Sequence, residues 1–136
     1  NLVKELKLGD IVRFTGRIEN EEFADYYAKS TLAVVPSLYE GFGIPAAEAM
    51  ACGVPLISTS GGALPEVVGE AGLIVPPADA KALADAIVRL LDSSAERNRL
   101  AKAGLERVHS VFSWKKAARE AAGVYREAIS GYSRFS

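Results

Sequence analysis

The sequence predicts an α/β fold of doubly wound, parallel-sheet type. Three features point there: apolar runs of strand length recur, amphipathic helical segments separate them, and glycine-bearing loops join strand ends to helix starts. Strands separated by helices return in parallel through right-handed crossovers, which places helices on both faces of the sheet.

Residues 1–8 carry Leu2, Val3, Leu6 and Leu8 on a short amphipathic stretch that reads as the tail of a helix, broken at Gly9-Asp10. Ile11, Val12 and Phe14 around Arg13 read as a strand ending at Gly16. Asn20, ahead of Glu21-Glu22, reads as the N-cap of a helix carrying Phe23, Tyr26 and Tyr27. Leu32-Ala33-Val34-Val35 is a continuous apolar run of the kind covered on both faces. Pro45 suits the first turn of a helix with body 46–51, and Gly53 suits its left-handed cap. Residues 55–59 form the next strand; the loop Ser60-Gly61-Gly62 leads to a short helix over 64–68 and a last strand at Leu73-Ile74-Val75. Three helices follow. The first, over 79–91, sets Leu83, Ile87, Leu90 and Leu91 on one face, and the second covers 95–108. The third starts at the N-cap Ser113, with Trp114, Ala118, Ala121, Val124 and Tyr125 on one stripe, and is expected to fray over 131–136.

Length and composition bound the rest. A chain of 136 residues fits one domain, and 49% hydrophobic with 24% charged residues is globular usage. A net charge of −1 offers no field for a polyanion, so nucleic acid is not expected as a partner. The lone Cys52 excludes an internal disulfide or a cysteine-based zinc site and reads as a small buried side chain. No apolar stretch is long enough to span a membrane and the first residues lack a signal peptide's pattern, so the expected location is cytoplasmic.

The segment richest in chemistry is Pro36-Ser37-Leu38-Tyr39-Glu40-Gly41-Phe42-Gly43-Ile44-Pro45-Ala46-Ala47-Glu48, between a buried strand and a helix start. Ligands of open α/β sheets bind at such carboxyl ends. Gly41 and Gly43 allow close backbone approach, and the first-turn amides over 44–47 form an expected phosphate seat at the positive end of the helix dipole. Glu40 and Glu48 flank that seat. A carboxylate accepts two hydrogen bonds, which suits vicinal hydroxyls, but it repels phosphate. Sugar hydroxyls are therefore their expected contacts.

This loop resembles the Glu-x7-Glu segment of the retaining, group 1 (family 4-like) glycosyltransferases of GT-B fold. The resemblance continues through Ala49-Met50-Ala51-Cys52-Gly53-Val54-Pro55-Leu56-Ile57, Gly61-Gly62-Ala63-Leu64-Pro65-Glu66-Val67-Val68 and Phe112-Ser113-Trp114, nearly the whole chain. It implies the distal part of a C-terminal donor-binding domain, a partial domain over 1–136 that takes a nucleotide-diphosphate sugar. Sugar would pass to an acceptor on an N-terminal domain, with retention and without a metal or other cofactor. By the same resemblance Glu48 receives the ribose hydroxyls. Glu40 is the catalytic candidate, holding donor-sugar hydroxyls and supporting oxocarbenium-like charge. The amides of Gly41, Phe42, Gly43 and Ile44 line sugar and diphosphate, and Gly16 and Arg17 line the base. The family's earlier strand-helix units, with a diphosphate-binding Arg and Lys, have no counterpart before Asn1. The chain is thus expected to be inactive alone, to expose a sheet edge that invites self-association, and to send the helix over 113–130 toward the acceptor domain. Peripheral membrane attachment would reside in that other half.

Two other readings compete. Gly41-Phe42-Gly43-Ile44-Pro45-Ala46 formally matches the Gly-x-Gly-x-x-Ala pattern of an NAD-type dinucleotide-binding domain, but the following strand ends in Ser60 where an acidic residue is required. A non-catalytic interaction module on the same fold is the second alternative. His109 near a helix end, Glu66, and the charged series Glu96, Arg97, Arg99, Lys102, Glu106 and Arg107 read as structural or solvated. Trp114 and Tyr125 read as core or interdomain packing residues.

Overall fold

A computed structural model describes residues 2–132. Helix α1 (Leu2–Glu5) and helix α2 (Asn20–Lys29) precede strand β1 (Ala33–Val35), helix α3 (Ile44–Ala51), strand β2 (Leu56–Thr59) and helix α4 (Leu64–Val68). A 3-10 turn over Gly69–Ala71 leads into strand β3 (Gly72–Val75), followed by helices α5 (Ala80–Asp92), α6 (Ser94–Val111) and α7 (Trp114–Tyr132). The strands form one parallel sheet in the order β1-β2-β3, with Ala33 opposite Leu56 and Thr59 opposite Val75.

Alternation along the strands divides the core into two layers. Val35 and Leu56 point to one face, where Ala46, Ala49 and Met50 of α3 and Leu64, Val67 and Val68 of α4 cover them. Ile57 and Val75 point to the other, against Ala86 and Leu90 of α5 and Leu100 of α6. The doubly wound α/β expectation is borne out. Asp79 caps α5 by accepting the Ala82 amide at 2.9 Å, and Ser93 caps α6 by accepting the Glu96 amide at 3.2 Å. Among the described residues, no helix is long and apolar enough to cross a membrane.

Several expectations are corrected. Residues 11–16 form no strand: Ile11 and Phe14 are 80% and 76% exposed, and the sheet ends at β1 among the described residues. Strand-like residues without a neighbouring ladder have no partner for their backbone groups, so pattern alone does not make a strand. Glu19, not Asn20, precedes the first helical residue of α2, and its amide donates to the Glu22 carboxylate at 3.3 Å. Cys52 is exposed, because it caps the end of α3. Leu91 also turns to solvent.

The charged face of α6 is only partly solvated. Arg97 donates to the carbonyls of Leu90 and Leu91 at 2.5 and 2.6 Å, closing the end of α5, while Arg107 donates to Glu66 and Val67 at the end of α4. His109 lies in the last turn of α6, as expected. Ser113 precedes helix α7 and its hydroxyl accepts the Lys116 amide at 3.2 Å, but the helix's apolar stripe faces solvent: Trp114, Val124 and Tyr125 are all exposed. The fraying expected over 131–136 falls largely on residues 133–136, which lie outside the described residues; Gly131 and Tyr132 are helical.

Candidate functional site: two interlocked loops

The loops after β1 and β2 leave adjacent parallel strands at their carboxyl ends and lock together. Thr59, last in β2, donates its hydroxyl to the Ser37 carbonyl, and the Gly61 amide reaches Thr59 Oγ1 at 3.4 Å. The Ala63 amide donates to the Glu40 carbonyl at 2.9 Å. Gly62 sits between them with φ +63°, and a Cβ there would lie 2.2 Å from the Glu40 oxygen. Only glycine fits that approach. The Ser60-Gly61-Gly62 segment is thus a buttress beneath Glu40.

The side chain of Glu40 is fixed as well. Ser37 donates its hydroxyl to Glu40 Oε1 at 2.8 Å, in a half-buried position. Sequence reasoning passed over Ser37 and Thr59; the available signals were a hydroxyl three residues before Glu40 and a polar end to an otherwise apolar strand.

Gly43 initiates α3 in the left-handed region, φ +93°, and a Cβ would come within 2.8 Å of Leu64 Cδ2. Its carbonyl accepts the amides of Ala46 and Ala47 at 3.0 and 3.2 Å. The phosphate seat expected over 44–47 is therefore smaller: Ala46 and Ala47 are engaged, and Pro45 carries no N–H. Among the described residues, the amides of Gly41, Phe42, Gly43 and Ile44 have no hydrogen-bond partner. The Phe42 ring turns away and meets Phe112 edge-on at 5.8 Å, so this residue offers the loop its backbone.

Glu48, half-buried on α3, borders an apolar groove of about 570 Å³ between α3 and the α6–α7 corner, shared with Phe42, Ile44, Phe112 and Trp114. Its carboxylate has no hydrogen bond among the described residues. Tyr27 donates its hydroxyl to the Pro45 carbonyl at 3.3 Å. Burial raises the Tyr27 phenol above its ordinary range, and the negative charges of Glu48 and Cys52 raise it further.

Gly16 and Arg17 are exposed, and Gly16 has φ +67°. Their neighbours Thr15 and Ile18 line a 320 Å³ cavity with Tyr27 and Pro45. Thus Glu40 and the amides of residues 41–44 form one locus, Glu48 lies one helical turn beyond, and the Gly16-Arg17 turn approaches through Tyr27.

Residues 1–107 match the family described as glycosyl transferases group 1. The chain is 45% identical over 132 residues to an MMP alpha-(1->4)-mannosyltransferase of Mycolicibacterium hassiacum, covering 95% of this chain and 32% of that protein. It is 43% identical over 122 residues to a D-inositol 3-phosphate glycosyltransferase of a Nocardioides species, covering 88% of this chain and 26% of the relative. Among solved structures, a sucrose-phosphate synthase from Thermosynechococcus elongatus superposes with TM-score 0.85 at 45% identity, over 96% of this chain and 33% of the other. An Anabaena protein solved in complex with UDP-glucose shares the fold, with TM-score 0.83 at 22% identity, over 92% of this chain and 35% of that one. The chain spans about a third of the length of these relatives. With a family match over most of its length and a parallel sheet bearing the two-glutamate loop at its carboxyl edge, the chain belongs to the group 1 glycosyl transferases.

Proposed function

We propose that this chain is the donor-binding part of a retaining glycosyltransferase, which moves a sugar from a nucleotide-sugar to an acceptor held by another part of the enzyme. The observation that carries the reading is the fixation of Glu40. Its backbone is bonded to Ala63, and its Oε1 is bonded to Ser37 before any ligand arrives. A carboxylate held this way stabilises positive charge developing at an anomeric carbon without reorganising during the reaction. Its second oxygen remains available to a donor-sugar hydroxyl.

The other assignments follow the same axis. The amides of Gly41, Phe42, Gly43 and Ile44, at the positive end of α3, face the diphosphate in place of a metal ion. Glu48 accepts the ribose hydroxyls, and Gly16 and Arg17 meet the base through their backbone. The exposed stripe of α7 packs on the acceptor-binding half, and the chain alone does not transfer sugar. The ligand class agrees with that of the Anabaena protein, whose fold is shared.

A ligand-observed NMR panel of UDP-glucose, GDP-mannose and ADP-glucose tests the reading. Saturation transfer to one nucleotide class, insensitive to EDTA and weakened about tenfold or more in Glu48→Ala, is the expected result. Silence from every donor, with well-dispersed protein spectra, would favour the non-catalytic module instead.

A further inference from the structure

We propose that Tyr27 is a positioning residue for the nucleoside end of the site: its hydroxyl fixes the first turn of α3 and, through that turn, the Glu48 carboxylate. The proposal rests on Glu48 as the ribose ligand. Tyr27 lies on α2, and Phe23 meets its ring edge-on at 5.0 Å, with an interplanar angle of 84°. The ring packs on the cluster that holds Val35, Ala46 and Met50. Ring position is therefore set by packing, which brings the hydroxyl to the Pro45 carbonyl at 3.3 Å.

That carbonyl belongs to the first turn of α3, and Glu48 follows three residues later on the same helix. Gly43, which precedes the helix in a left-handed conformation, holds its first turn through the carbonyl that accepts the Ala46 and Ala47 amides. A side-chain tether from α2 adds a second restraint on the same turn, from outside the loop. A phenol is protonated at neutral pH, so the hydroxyl is a donor there. The same ring also borders the cavity lined by Thr15 and Ile18, on either side of the Gly16-Arg17 turn. One side chain thus spans the segment assigned to the base and the helix assigned to the ribose.

The test is a double-mutant cycle on the full chain with Tyr27→Phe, Glu48→Ala and both together, which keeps the packed ring and removes only the hydroxyl. The probe is whichever of UDP-glucose, GDP-mannose or ADP-glucose the unmodified chain binds. Tyr27→Phe should weaken binding about three- to tenfold with Glu48 present and leave it unchanged in Glu48→Ala. Unchanged affinity, or equal losses in both backgrounds, would overturn the proposal. Hydrogen exchange of the ligand-free chain gives a second reading: the amides of Ala47 and Glu48 should exchange faster in Tyr27→Phe, and unaltered exchange there also overturns it. If the unmodified chain binds no donor, the donor reading fails, while the exchange arm still decides whether Tyr27 restrains α3.

Discussion

The amide of Ala63 donates to the carbonyl of Glu40 at 2.9 Å, so the N-cap residue of α4 is bonded to the backbone of the residue proposed to face the reacting sugar. The loops after β1 and β2 therefore move as one unit. Displacing the second loop must displace Glu40, even though nothing in that loop need touch a ligand.

Gly62 is where this coupling is most exposed to mutation. A Cβ at Gly62 meets the Glu40 oxygen at 2.2 Å on a backbone with φ +63°, so Gly62→Ala should lose about 2 kcal/mol or more and weaken donor binding with it. Gly41 has open space around its Cα, and Gly41→Ala should stay within about 0.5 kcal/mol of the unmodified chain. Urea unfolding of the two variants decides the matter; equal costs would contradict the interlock.

Arg107 supports the same unit from behind. Its Nε and Nη2 reach the carbonyls of Val67 and Glu66 at 2.7 and 2.6 Å, closing the C-terminal end of α4. Arg107→Ala leaves both carbonyls unpaired by protein and should cost about 1–3 kcal/mol in chemical denaturation. Lys102, in an exposed pair with Glu106 at 3.9 Å, should be close to silent when changed to Ala. A Lys102 cost as large as that of Arg107 would mean that α6 stabilises the fold through surface charge.

Residue pattern revealed the three strands because Leu32 to Val35, 55–59 and 73–75 are largely apolar runs with helices packed on the two faces of the sheet, although only β2 is buried throughout and Ile74 of β3 is 38% exposed. The same pattern misled at residues 11–16, where the backbone lacks a neighbouring ladder; pairing is a long-range fact that local alternation does not contain. In the site, Glu40, Gly41, Gly43 and Glu48 were legible because a glycine loop at a strand end has local meaning. Ser37, Thr59 and Tyr27 were not, since their roles come from contacts across the chain: Thr59 reaches back to Ser37, and Tyr27 crosses from α2 to α3. Arg107 was hidden for the opposite reason. Its spacing fits a solvated helix face, and only the open end of α4 beneath it draws it inward.

Alkaline pH should expose the Tyr27 environment. The folded chain holds the phenolic proton more tightly than the unfolded chain, so its stabilising contribution is complete below the ordinary phenol value of 10.0. It is lost as pH rises through the higher folded value. Unfolding midpoints measured from pH 8 to pH 11 should fall more steeply for the unmodified chain than for Tyr27→Phe, about at and above the ordinary phenol range. Parallel curves would show that ionisation of Tyr27 is not linked to folding.

Trp114 reports on α7. The residue is 90% exposed, which removes the core alternative of its expected core or interdomain packing role. Its fluorescence in the isolated chain should match that of a hydrated indole, and Trp114→Ala should change stability by less than about 0.5 kcal/mol. A blue-shifted emission that moves red on dilution would instead show the stripe covered by another copy.

The outer edge of β1 makes self-association measurable. Among the described residues no strand pairs with that edge, and Ile11 and Phe14 lie exposed in the irregular segment before α2. Unpaired backbone groups and bare apolar side chains together form a template that another chain can extend. Light scattering should therefore report a mean mass that rises with concentration. Phe14→Lys should lower that rise without altering the unfolding midpoint, because Phe14 is 76% exposed and contributes little to the folded core. A constant monomer mass over a hundredfold range of concentration, from about 5 to 500 μM, would show that the twist and shortness of β1 protect its edge unaided.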